Sequence, residues 1–184
     1  AKNKVYVDLY HYVDHDQLLI DAFEEYTSDE LKYINNFCFH FEKPKKYPGH
    51  YIVESYNISK KYYEVFLDNN NVDFVYSQGF SGWHYSKQKY NGKKLPPIGV
   101  NFHGLEMFQS APSLKTKLEH LMFRYPVNRC MMYSDYVYSL GGKLTDILKK
   151  LGYNDKKIIV MPIGISESWL ISNNLGMKKT KRKK

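Results

Sequence analysis

The stretch IGVNFHGLEMFQSAPSLKTKLEHLMFRY, residues 98–125, decides the fold. Its first part, Ile98–Phe102, is a short apolar run ended by His103-Gly104, the pattern of a buried strand that stops at a glycine. Its second part places Leu114, Leu118, Leu121, Met122 and Tyr125 at i, i+4, i+7, i+8 and i+11, one face of a helix opened by Pro112. A buried strand followed by a helix that packs back on it is half of a βαβ unit. The stripe is therefore expected to be buried. Lys115, Lys117, His120 and Arg124, with the one carboxylate of Glu119, are expected to form a mostly cationic exposed face.

The same alternation extends in both directions. Upstream, Val72–Ser77 (VDFVYS) reads as a strand followed by the loop Gln78–Trp83 (QGFSGW). Downstream, Tyr136–Leu140 reads as a strand ended by Gly141-Gly142. Leu144, Ile147, Leu148 and Leu151 then form a helical stripe closed by Gly152, and Ile158–Met161 is a last strand. Nearer the start, Lys4–Tyr10 and Phe37–Phe41 read as strands, and Asp16–Tyr26 carries a helical apolar face. Thr27–Glu30 has capping-box spacing, and 42–50 is a loop. Ser59 is expected to cap a helix through Leu67, ended by Asn69, Asn70 and Asn71. The order predicts an α/β chain with a Rossmann-like, doubly wound, mainly parallel sheet. Ligands of such sheets bind beyond the carboxyl ends of the strands, here loops 78–83, 103–109, 141–142 and 163–167.

Charge points away from nucleic acid. The formal net charge is +8, but six of the 27 basic residues lie within 178–184, which leaves 21 against 19 acidic residues in the body. That basic run is read as a linker or tail, 171–184, following a domain over 1–170. The two cysteines, Cys38 and Cys130, form no CxxC pattern, and no signal peptide is visible, which fits a reducing cytoplasm. No apolar run approaches the roughly 18 residues of a membrane-spanning helix.

Several loop residues have side chains suited to chemistry. His103, at a strand's carboxyl end beside Gly104, is placed to donate to developing negative charge or to orient a hydroxyl; its bland role is a backbone-bonded loop histidine. Gln78, Gly79 and Trp83 combine an amide, close backbone approach and an aromatic face, as sugar sites do, although Trp83 equally suits a tight turn with its ring in the core. Gly141-Gly142-Lys143 before a helix suits phosphate, but also a plain strand-to-helix turn. His11, Asp14, His15 and Asp16 are a possible metal set or a polar helix cap, and no second cluster completes a hydrolase site.

The run Ile98–Gln109 resembles the segment of family 4 retaining glycosyltransferases in which a strand delivers a His-Gly pair to the interdomain cleft. Val72–Trp83, Ser134–Ile147 and Lys157–Trp169 (KIIVMPIGISESW) resemble three further segments of that family, in the expected order. The resemblance covers roughly residues 72–170. It implies a GT-B fold of two Rossmann-like halves, of which this chain is the N-terminal, acceptor-side half. His103 matches the family's cleft histidine near the donor sugar and Gly104 its neighbour. Gln78 and Gly79 match the acceptor-side loop, and Gly164 the glycine where the chain crosses between domains. Residues 8–17 depart from the family, which usually has a glycine-rich loop there.

The resemblance implies transfer of a sugar from a nucleotide-sugar donor to a glycan or lipid-linked acceptor, as in polysaccharide biosynthesis, by electrostatic stabilisation without a metal or other cofactor. The donor would be held by a second half beginning about where the sequence stops, so this chain alone would be inactive. The expected location is cytoplasmic, with peripheral contact at the inner face of the membrane and no nucleic-acid partner. Two other classes stay open: a non-enzymatic module whose basic C-terminal run binds anionic lipid or nucleic acid, and a metal hydrolase built on the HYVDHD cluster.

Overall fold

The computed structural model describes residues 5–13, 27–40, 47, 49–69 and 71–162. The chain is α/β with parallel sheets. In chain order the elements are β1 (Val7–Val13), α1 (Ser28–Leu31), β2 (Ile34–His40), α2 (His50–Asp68), β3 (Val75–Gln78) and α3 (Trp83–Tyr90). They continue with β4 (Ile98–Asn101), a 3-10 turn at Glu106–Phe108, α4 (Leu114–Tyr133), β5 (Tyr136–Ser139), α5 (Lys143–Lys150) and β6 (Ile158–Val160). The helix expected over Asp16–Tyr26 and the residues from 163 onward, Gly164 among them, lie outside the described residues.

Strands β3 to β6 form one four-stranded parallel sheet in sequential order. Strand alternation sorts its side chains. Ser77, Val100, Val137 and Ile158 are register partners in a row across the sheet, and all four are buried. This face carries the main core, in which Val100, Val137 and Ile158 meet Val127, Cys130 and Met131 of α4 and Ile147 and Leu148 of α5. The opposite face shows Tyr76, Gly99 and Tyr136 in one row and Gln78, Asn101 and Tyr138 in the next. Gly99 is required there: a Cβ would stand 2.5 Å from the Tyr138 ring.

The expected doubly wound sheet is present in part. Sequential order means winding in one direction, and β1 and β2 pair with each other in a separate parallel sheet. Among the described residues the strand order therefore never reverses. The two sheets are linked by α2. Tyr62 packs edge-on against Tyr10 and Phe39, while Tyr63 and Phe66 pack against Tyr85 of α3.

Three helix readings need correction. Ser59 does not cap α2, which begins nine residues earlier at His50 after Gly49 in the left-handed region. Ser59 is fully buried; its hydroxyl donates to the Tyr56 carbonyl and accepts the His84 backbone N–H, which ties α2 to α3. Pro112 does not open α4: Ser113 is the cap, accepting from the Thr116 N–H at 3.1 Å, and the helix continues through Pro126 to Tyr133. A proline inside a helix removes one ladder bond, but Pro126, Val127, Cys130 and Met131 are buried, and this packing holds the second half in place. The stripe Leu114, Leu118, Leu121, Met122 and Tyr125, expected in the core, is exposed. The first half of α4 instead turns Thr116, His120 and Phe123 inward. Apolar periodicity identifies a helix face but does not say which side the sheet takes.

Candidate functional site

The carboxyl ends of β3, β4, β5 and β6 lie on one edge of the sheet, because all four strands are parallel. Gln78 ends β3, and His103 follows β4 by two residues. Their side chains meet: His103 Nε2 is 3.2 Å from Gln78 Oε1, and both residues are exposed. An amide oxygen only accepts, so with this amide orientation Nε2 carries a proton, and in the neutral ring Nδ1 is then the acceptor. A neutral histidine held in this way can take a hydrogen bond from a hydroxyl arriving at the edge.

The backbone beneath this pair is fixed. Gly79 extends the β3–β4 ladder by one rung, its N–H donating to the Asn101 carbonyl at 2.8 Å. Its φ of +55° is left-handed, and a Cβ there would meet nothing within 4 Å. Space above Gly79 is therefore open, and the glycine serves the turn rather than relieving crowding. Gly82 is the reverse case. A Cβ would stand 2.6 Å from Ser77 Oγ and 2.7 Å from Ile98 Cδ1, so close packing demands glycine.

The N–H groups at the start of α3 are already used. Gly82 donates to Ser77 Oγ at 2.7 Å, Trp83 to the Phe80 carbonyl and His84 to Ser59 Oγ. Anion binding there would have to displace these bonds. Trp83 itself packs against the main core and meets the rings of Tyr56 and Phe80, with centroids at 5.0 and 5.2 Å. At the β5–α5 turn, Gly141 and Gly142 both have positive φ, and Gly141 N–H donates to Ser139 Oγ. Helix α5 begins without a side-chain cap.

Three residues at this edge went unread in the sequence. The Glu106 carboxylate folds over Gly104, where any Cβ would overlap it. Asn101 is almost fully buried, donates from Nδ2 to the Tyr76 hydroxyl at 2.7 Å, and leaves Oδ1 without a partner among the described residues. A polar residue inside the apolar run IGVNF was the available signal for Asn101; nothing in the sequence pointed to Tyr76 or to Glu106. Of the HYVDHD cluster, His11 Nε2 is 2.7 Å from Asn36 Oδ1 on β2. Asp14, His15 and Asp16 lie outside the described residues, and among those described no group of acidic, histidine or cysteine side chains has metal-binding geometry. A cleft of about 350 Å³ is lined by Phe108, Arg124, Ile147, Lys150 and Leu151, and His103 is not part of its lining.

No protein-family profile matches the chain, and no curated protein matches it. No helix among the described residues is long and apolar enough to cross a membrane.

Proposed function

We propose that the chain is the N-terminal, acceptor-side half of a retaining glycosyltransferase of GT-B architecture, acting with a second half that holds a nucleotide-sugar donor. The observation that carries this reading is the His103–Gln78 pair at the carboxyl edge of a parallel sheet, where open α/β sheets bind ligands. His103 Nδ1 would accept from a sugar hydroxyl near the reacting carbon, and Gln78 would hold the ring in its tautomer and orientation. Gly79 would let the sugar approach the backbone, while at Gly104 the Glu106 carboxylate would first have to swing aside. The acceptor is a glycan or a lipid-linked glycan, reached from the cytoplasmic side at the inner face of the membrane. No metal or cofactor enters this scheme. Catalysis would rest on positioning and on preorganised hydrogen bonds to developing charge. Nucleoside diphosphate release from a panel of nucleotide sugars, measured on the full-length protein with and without glycan acceptors, tests it. Acceptor-dependent release that His103→Ala removes supports the reading; release unaffected by His103→Ala contradicts it.

A further inference from the structure

Helix α4 has two apolar faces, and only one is covered. With about 3.6 residues per turn, Leu114, Leu118, Leu121 and Tyr125 fall within roughly 60° of one another and lie opposite Phe123, Val127 and Cys130, which face the protein. The outer row is open to solvent: Leu114 is 81% exposed, Leu118 69%, Tyr125 68% and Leu121 50%. Met122 and Met132 extend it at 40% and 36%. Single exposed leucines are ordinary, whereas an aligned row spanning three helical turns marks a contact surface.

The flanks identify the contact. On the helical wheel Lys115 borders the row on one side, and Lys117 and Arg124 border it on the other; Glu119 is the one carboxylate on α4. Arg124 is held in place by its Nε, which donates to the Met107 carbonyl at 2.6 Å, and it lines a cleft together with Lys150. At the far end of the row the Arg129 guanidinium lies 5.2 Å from the Tyr125 ring centroid and 5.9 Å from that of Tyr133. An apolar ridge bordered by cations, with tyrosine and arginine at one end, matches a helix lying in the headgroup region of an anionic bilayer. A second copy of the chain fits less well, because antiparallel or parallel docking of the two ridges would bring like-charged flanks together.

We infer that the outer face of α4 is a monotopic membrane-binding surface that inserts Leu114, Leu118, Leu121 and Tyr125 among anionic lipids. The N-terminus of α4 follows the loop that leaves β4 at His103, so the bilayer would lie beside the edge that carries the candidate site. The inference gives the proposed membrane access a surface, but it rests on that reading only for its purpose. Its test uses neither donor nor acceptor, so either can fail without the other.

The experiment is co-sedimentation of the full chain with vesicles of phosphatidylcholine alone or mixed with phosphatidylglycerol. The cations at Lys178, Lys179, Lys181, Arg182, Lys183 and Lys184 are replaced by serine throughout, because that run would bind anionic lipid unaided. The tail-neutral protein should pellet with the mixed vesicles and much less with phosphatidylcholine. Leu118→Ser with Leu121→Ser should lower the partition coefficient about tenfold or more without moving the thermal transition, since both side chains are exposed. Lys115→Glu with Lys117→Glu should remove the preference for phosphatidylglycerol. Tyr125→Trp should show a blue-shifted emission on the same vesicles. Pelleting by the leucine variant equal to that of its parent overturns the inference. So does a tail-neutral protein that stays in the supernatant, or one that elutes as a dimer converted to monomer by the leucine variant, which would make a second copy the occupant.

Discussion

His103 Nε2 and Gln78 Oε1, 3.2 Å apart, join the ends of two adjacent parallel strands through the side chains of two exposed residues. Hydrogen bonds this exposed add little to stability, of order 0.5–1 kcal/mol at most. His103→Ala and Gln78→Ala should therefore each leave the thermal midpoint within a few degrees of the parent. A loss several times larger would assign the pair to holding the fold.

The two glycines of the QGFSG turn should both resist replacement by alanine, for different reasons. Gly82→Ala forces a methyl group against Ser77 and Ile98 and should cost about 1–3 kcal/mol, as overpacking does. Gly79→Ala meets no atoms, and its left-handed φ alone should cost about 1–2 kcal/mol. Urea unfolding of both variants gives the comparison. A neutral Gly82→Ala would mean that the close approach of α3 to the sheet is not as drawn.

Asp135 fastens the amino end of β4. Its Oδ2 accepts the Ile98 N–H at 2.8 Å and lies 3.3 Å from Lys89 Nζ, which also donates to the Leu95 and Pro96 carbonyls. Removing a charged acceptor from a partly buried N–H costs about 1.5–3 kcal/mol. Asp135→Ala should lower stability by that order, and Asp135→Asn by less, because its amide oxygen still accepts. Equal losses for the two would show that the ion pair with Lys89 outweighs the bond to Ile98.

Alkali should weaken the fold before it reaches the ordinary lysine range. Burial pushes the Cys130 thiol up from 9.0 to about 12 and is the larger cause of raising Tyr153 from 10.0 to about 12. In the unfolded chain these groups lose their protons near their ordinary values, while the folded chain keeps them. Between pH 9 and about 12 the native state thus binds more protons, and stability falls as pH rises, by up to about 1.4 kcal/mol per unit for the fully buried Cys130 and by less for the part-buried Tyr153. Urea midpoints should decline from pH 8.5 upward and decline less steeply in Cys130→Ala. A flat profile would mean that Cys130 is not sealed. Iodoacetamide should label exposed Cys38 and spare Cys130 until the protein unfolds.

Outside α4, the second half of the chain was legible because each apolar run there has one dominant period. Ile98–Phe102, Tyr136–Leu140, Leu144–Leu151 and Ile158–Met161 became β4, β5, α5 and β6 within a residue or two. Helix α3 was not read: HYSKQK is polar, and α3 is held by Ser59, Ser77 and Tyr85 rather than by an apolar stripe. The depth of α4 was misjudged because its sequence carries two apolar faces, and the pattern alone does not rank Leu118 against Val127. The site was legible as far as strand ends go. The positions of His103, Gln78 and Gly79 follow from strand–glycine boundaries, whereas the Asn101–Tyr76 bond depends on register across β3 and β4, which no local pattern encodes.

The proposed transfer activity is tested most directly by turnover of a nucleotide sugar by the full-length protein, its His103→Ala variant and the 184-residue chain alone. Loss of a group that positions the reacting sugar costs about 10²-fold in rate. The expected result is turnover by the full-length protein, a loss of that size in His103→Ala at unchanged thermal midpoint, and none by the chain alone. Undiminished turnover in His103→Ala, or turnover by the chain alone, would contradict it.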